Sequence, residues 1–167
     1  MLTFNSTKTK MLNIFSPRVF LKKVVDASWS CNLDTPEKEK VPVEYVGGVP
    51  RLSLKYTDSD VDWMCGVLAL DKAEWKGQDL TNYTDVKFTF YQEDGVNLRV
   101  SFIDDQERTS EEVEISQLAG IQAGEECEVS IPLRSFYNTE FDETKGRLIK
   151  LIGVNKPHFY VSNLYLF

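Results

Sequence analysis

An all-β sandwich or barrel of antiparallel strands is the predicted fold. Three observations point to a sandwich of strands: apolar and polar side chains alternate residue by residue in separate short stretches, turn residues punctuate those stretches, and no long helical periodicity occurs. Alternation sends successive side chains to opposite faces, so each stretch can bury one face and wet the other.

The elements follow in order. Residues 1–19 alternate weakly and read as an N-terminal segment or edge strand, and 20–167 as the sandwich domain. Gly47-Gly48 separates Val43–Val46 from the stretch in which Leu52, Leu54 and Tyr56 alternate with Ser53 and Lys55. Val86, Phe88 and Phe90 alternate with Lys87, Thr89 and Tyr91, and Leu98, Val100 and Phe102 with Asn97, Arg99 and Ser101. Asp94-Gly95 between these two runs reads as a hairpin turn. Asp104-Asp105-Gln106 ends the second run. Val113 and Ile115 alternate with Glu112 and Glu114; Cys127, Val129, Ile131 and Leu133 alternate with Glu128, Ser130 and Pro132. Pro132 marks an edge strand or a strand end, because it cannot donate to a ladder. Asn155-Lys156-Pro157 precedes a last strand over 159–167, and single helical turns are expected at 118–120 and 135–137.

Composition narrows the function. The chain has 167 residues, enough for one domain with a core that needs no metal or disulfide. Asp and Glu number 26 against 19 Lys and Arg, a formal net charge of −7. Phosphate backbones and anionic membranes repel such a surface, and no basic patch offsets it, so neither nucleic acid nor membrane is an expected partner. No apolar run approaches the roughly 20 residues of a membrane span. Lys8 and Lys10 are not followed by an apolar run of signal-peptide type. A single histidine, His158, leaves little for triad or two-histidine metal chemistry. The chain has no nucleophile elbow and no phosphate loop, and no motif singles out a carboxylate pair among its 26 acids. Catalysis is therefore not expected. Cys31, Cys65 and Cys127 fit three buried thiols better than one disulfide and a free thiol.

Several segments resemble a jelly-roll carbohydrate-binding module of the galactose-binding-like group, of the kind appended to plant-cell-wall-degrading enzymes. They are Trp63-Met64-Cys65-Gly66-Val67-Leu68-Ala69-Leu70, then Asp79-Leu80-Thr81-Asn82-Tyr83-Thr84-Asp85-Val86-Lys87-Phe88-Thr89-Phe90-Tyr91, then Leu98-Arg99-Val100-Ser101-Phe102-Ile103-Asp104. Ala123-Gly124-Glu125 before Val129-Ser130-Ile131-Pro132-Leu133 is similar to another family segment, with Glu126 where an aromatic usually stands. Phe159-Tyr160-Val161-Ser162-Asn163-Leu164-Tyr165-Leu166-Phe167 resembles the closing strand. The likeness covers roughly residues 40–167. It implies an all-β jelly-roll sandwich of two antiparallel sheets with one concave face, and a secreted or extracellular, non-catalytic module that binds a β-glucan, xyloglucan or mannan on that concave sheet and tethers an attached catalytic domain to it. Many members bind a structural calcium through an aspartate where this chain has Ser162. A hydroxyl is a poorer ligand for a hard cation than a carboxylate, which weakens the case for that calcium, and no cofactor is assigned. Asp58, Asp60 and Asp62 lack the glycine and terminal glutamate of a calcium loop. A protein-interaction jelly roll is the main alternative function, and a small glycoside hydrolase a third.

The candidate ligand-binding residues are Trp29, Trp63, Trp75, Tyr91, Asn97, Arg99 and Lys150. Sugar rings expose an apolar C–H face that a flat aromatic desolvates without demanding a hydrogen bond. One such stack, covering ~80–100 Å², gives on the order of 2 kcal/mol gross. Trp29 and Trp63 are assigned by family likeness, and Trp75 to the rim; the plainer alternative is that each plugs the core. Lys87, Thr89 and Tyr91 with Asn97, Arg99 and Ser101 are expected to form one outward hydrogen-bonding surface on adjacent strands, joined by Lys150. Glu112, Glu114 and Glu128 are expected on the opposite, acidic face.

Overall fold

The computed structural model describes residues 11–15, 27–30, 39–40, 43–46, 49–55, 63–70, 77–154 and 158–167. These hold strands β1 (Leu12–Phe15), β2 (Ala27–Ser30), β3 (Glu39–Lys40), β4 (Val43–Val46), β5 (Val49–Lys55) and β6 (Trp63–Ala69). They continue with β7 (Asp85–Gln92), β8 (Leu98–Asp104), β9 (Val113–Glu114), β10 (Cys127–Pro132), β11 (Gly146–Val154) and β12 (His158–Leu166). Two antiparallel sheets result. One runs β10-β7-β12-β5-β4, with β1 also pairing β12; the other runs β3-β2-β6-β11-β8-β9.

The alternation read from the sequence is what the sandwich uses. On β7, Val86, Phe88 and Phe90 are buried while Asp85, Lys87, Thr89 and Tyr91 are half-exposed. On β10 the pattern is strict: Cys127, Val129 and Ile131 inward, Glu128, Ser130 and Pro132 outward. Pro132 is the last residue of β10, an edge strand, where its missing N–H costs no ladder bond. The core between the sheets joins Phe90 to Phe159 at 5.9 Å between ring centroids, and Phe102 to Phe136 edge-on at 4.9 Å. Each ring pair is worth about 0.5–1.5 kcal/mol beyond the area it buries. β1 joins the same core through Ile14.

The connection at Asp94-Gly95 corrects the sequence reading. β7 belongs to the first sheet and β8 to the second, so residues 93–97 arch between layers rather than close a hairpin. Gly95 does not take the positive φ that a type I′ turn needs. Gln92 instead continues inward, is buried, and its Oε1 accepts the Asn97 N–H at 2.9 Å, which turns the chain toward the other sheet. The two expected single turns are 3₁₀ turns at Ile115–Gln117, earlier than expected, and Leu133–Phe136, and two further 3₁₀ turns form at Leu80–Asn82 and Glu143–Lys145. Cys127 is buried as a free thiol; Cys31 lies outside the described residues.

Candidate functional site

Residues directly opposite across an antiparallel ladder share a face. In the second sheet, Leu68, Ile149, Leu151, Val100 and Phe102 face the core. The alternate positions form the outer face, in rows across β6, β11 and β8. Trp63 lies opposite Val154, Cys65 opposite Ile152 and Ile152 opposite Arg99, Val67 opposite Lys150 and Lys150 opposite Ser101, Ala69 opposite Leu148 and Leu148 opposite Ile103. Val67, Ile103, Leu148, Ile152 and Val154 are all half-buried, so this outer face is largely aliphatic, with Lys150 at its centre. Beside Lys150, Ser101 is fully buried and its Oγ has no hydrogen-bond partner. A near-continuous apolar run from Leu148 to Val154 reads as a strand covered on both faces. That signal was available in the sequence for the aliphatic rows, which side-by-side alternation alone did not single out.

The candidate residues divide between the two sheets. Trp63, Arg99 and Lys150 stand on the second sheet, with Trp63 at the first position of β6. Asn97 adjoins them: its backbone carbonyl accepts the N–H of Val154, the residue opposite Trp63. On β2, Ser28 and Ser30 pair with Val67 and Cys65, and Trp29 takes the alternate register position, opposite Gly66. Trp75 lies outside the described residues, as do Asp58, Asp60 and Asp62. Tyr91 is on the first sheet, where its hydroxyl donates to Glu93 and its ring lies 6.2 Å from that of Tyr160. That bond to Glu93, ahead of burial, raises the Tyr91 pKa above the ordinary tyrosine value. The expected single surface of Lys87, Thr89 and Tyr91 with Asn97, Arg99 and Ser101 therefore does not exist, because β7 and β8 are in different layers. The expected acidic face divides as well: Glu128 is on the first sheet, while Glu112 and Glu114 ion-pair with Arg99 at 3.1 and 2.8 Å. Nothing local in the sequence says to which sheet a strand belongs, which is the physical reason for both corrections.

Asp104, at the end of β8, is fully buried and has both oxygens engaged. Oδ1 accepts the N–H groups of Gln106 and Arg108 at 2.9 Å; Oδ2 accepts Arg108 Nε at 2.8 Å and the Asp142 N–H at 3.0 Å. Burial raises its pKa, but the N–H groups of Asp142, Arg108 and Gln106 and the Arg108 guanidinium outweigh it and hold the carboxyl below its ordinary value. A carboxylate saturated by donors in this way is not a cation ligand. Among the described residues no three histidine, cysteine, aspartate or glutamate side chains converge, and Ser162, which stands where many members carry the calcium aspartate, is buried and offers only a hydroxyl. No helix among them is long and apolar enough to cross a membrane.

Comparison with known proteins places this geometry. A search of curated proteins finds no match. Among solved structures, the family 30 carbohydrate-binding module of the cellulosomal cellulase Cel9D-Cel44B of Clostridium thermocellum is similar, with a TM-score of 0.73 and 20% identity over 95% of this chain and 97% of that one. A further family 30 carbohydrate-binding module superposes with a TM-score of 0.69 and 19% identity, covering 95% and 88%. The family 11 module from Clostridium thermocellum, in complex with a β-1,3-1,4-mixed-linked tetrasaccharide, has a TM-score of 0.52 and 13% identity over 100% and 93%. At these identities the structures establish the shared jelly-roll fold. The family model described as carbohydrate binding domain 30 matches residues 16–166, which is nearly the whole chain, and the chain therefore belongs to the family 30 carbohydrate-binding domains.

Proposed function

We propose that this chain is a non-catalytic module that binds a neutral plant-wall polysaccharide of the β-glucan, xyloglucan or mannan class on the outer face of the β2-β6-β11-β8 sheet. One observation carries the placement: the register puts Trp63 in the rows of an outer face that is aliphatic rather than polar. Most one-sided sheets wet their outer face with polar residues, and a contiguous apolar patch marks a binding surface. Trp63 supplies the stacking plane, with Trp75 as its proposed companion; Trp29, at the register position opposite Gly66, belongs to the alternate rows and is proposed instead as a plug of the core. Lys150 and Asn97 supply hydrogen bonds to hydroxyls at the rim of the sugar ring. Arg99, already shared between Glu112 and Glu114, borders the platform and orders that edge. The mixed-linkage glucan held by the family 11 structure supports the β-glucan member of the class.

The module would act outside the cell, attached to a catalytic domain, raising the local concentration of substrate without turnover of its own. Affinity gel electrophoresis against mixed-linkage β-glucan, xyloglucan and galactomannan tests the class. Retardation in at least one of these gels, unchanged by added salt, is expected for a neutral ligand. Equal mobility in all three gels and in a blank gel would remove the reading. Release of reducing sugar by the isolated chain would contradict its non-catalytic part.

A further inference from the structure

The opposite outer face, on β10, β7, β12 and β1, carries a groove of about 610 Å³. Small-ligand sites span roughly 300–1,000 Å³. Two backbone irregularities shape it. Between the pairs Ser162–Thr89 and Tyr165–Lys87, β12 carries one residue more than β7, and Asn163 stands there with φ of 51°. β1 has a matching shift between Asn13 and Phe15, opposite Tyr165 and Leu164. A bulge takes a side chain off the regular alternation, and asparagine adopts the left-handed conformation more readily than most residues. The result is two exposed amides, Asn13 and Asn163, lining one groove.

The remaining lining has the chemistry of hydroxyl recognition. Thr89 and Ser130 contribute hydroxyls, and Tyr165 a half-buried ring. Lys87 and Glu128 contribute one charge of each sign, so the groove favours a neutral ligand. Lys87 Nζ is held 4.4 Å above the centroid of the Phe167 ring. Among the described residues, none of the side chains of Asn13, Thr89, Glu128, Ser130 and Asn163 has a hydrogen-bonding or ion-pairing partner. The next row along β12 adds rings: Tyr160 lies beside Tyr91, and the His158 ring is 4.8 Å from Tyr160. From Tyr160 to Tyr165 the strand covers at most roughly 16 Å at about 3.3 Å per residue, the span of an oligosaccharide rather than one sugar. A docked protein would want a contiguous apolar centre. The large exposed hydrophobics among the described residues are only Met11 and Phe167.

We infer that this groove is a second glycan site, taking a neutral β-linked oligosaccharide through the two amides, the hydroxyls and the face of Tyr165. It presupposes the glycan class proposed above, and it would let one module hold two chains on opposite faces.

The test is an amide-resolved NMR titration of the full chain with a β-1,3-1,4-mixed-linked tetrasaccharide, repeated on Trp63→Ala and Ser130→Arg. Ser130 is exposed on an edge strand, so arginine there fills the groove without entering the core. Two separate clusters of shifting amides are expected, one around Val67, Lys150 and Ile152 and one around Thr89, Ser130 and Asn163. Trp63→Ala should weaken only the first cluster, and Ser130→Arg should weaken only the second, at least tenfold. Shifts confined to the first cluster, or a second cluster indifferent to Ser130→Arg, overturn the second site and leave the proposed function standing. Shifts confined to the second cluster support the groove and remove the platform. No shifts at any sugar concentration remove both. Concentration-dependent broadening at Met11 and Phe167 without sugar, and no sugar shifts there, marks a protein contact and overturns the inference.

Discussion

Replacing Asp104 with alanine should cost about 3–6 kcal/mol of folding stability. The carboxylate is fully buried and takes four donors, and each net hydrogen bond to a charged group contributes about 1.5–3 kcal/mol. The four do not add. The Arg108 side chain is 40% exposed, so water replaces its bond, and Gln106 is exposed and finds water too. The N–H groups of Arg108 and Asp142 remain, and two bonds at the stated value give the figure. For a chain of this size each kcal/mol moves Tm by about 2–4 °C, so a fall of roughly 6–24 °C is expected in a thermal melt at pH 7. The pH dependence follows from the lowered pKa. A carboxyl with a depressed folded-state pKa contributes its full stability above the unfolded value, near 3.9, and loses it as pH falls toward and through the folded value. The gap between wild type and Asp104→Ala should thus be constant from pH 5 to 8 and narrow below about pH 4. A melting temperature within 3 °C of wild type at pH 7, or a gap that widens in acid, would refute the reasoning.

Two further substitutions probe the frame around the site. At Gly77 a Cβ would lie 2.7 Å from Lys145 Cα, a backbone atom that cannot swing away. Gly77→Ala should destabilise by about 1–3 kcal/mol in urea titration, and an unchanged midpoint would show that the two segments can separate. Arg99→Ala removes two ion pairs whose side chains are each about 40% exposed, so its stability cost should stay below about 1 kcal/mol and shrink in 0.5 M salt. A loss above 3 kcal/mol, measured the same way, would mean that Arg99 is held in a drier site than its exposure indicates.

Much of the fold was legible because burial and alternation are coupled residue by residue. β7, β8 and β10 could be drawn from Val86, Phe88 and Phe90, from Leu98, Val100 and Phe102, and from Cys127, Val129 and Ile131. Alternation distinguishes inside from outside but carries no information on which layer a strand joins. Asp94-Gly95 therefore read as a hairpin, and Tyr91 and Arg99 were put on one surface that the arch at Gln92 divides between two sheets. Long-range pairing hid other features. Ser53 looks like an outward polar residue, yet it is buried, with its Oγ 3.1 Å from Nε2 of His158, 105 positions away. Asp104 read as part of the end of a strand; only the return of Asp142 beside it reveals a saturated carboxylate. The bulge at Asn163 has no local signature beyond an asparagine in a strand. Among the candidate residues, Trp63 was proposed from family likeness and Lys150 from its polar place in an apolar strand, whereas the aliphatic rows of Ile152 and Val154 needed the register to show which face they occupy.

The central claim is that the outer face headed by Trp63 binds a neutral glucan. Calorimetric titration of wild type and Trp63→Ala with soluble mixed-linkage β-glucan, each paired with a melting curve, tests it most directly, and Trp29→Ala belongs in the same series. Wild type should bind in the micromolar-to-millimolar range. Trp63→Ala should lose about 1–3 kcal/mol of binding, roughly five- to more than a hundredfold, at an unchanged Tm. For Trp29, reduced affinity at normal Tm would make it a stacking residue, and unchanged affinity with a much lower Tm would make it a core residue. Wild-type affinity in Trp63→Ala, with a normal melting curve, would contradict the account.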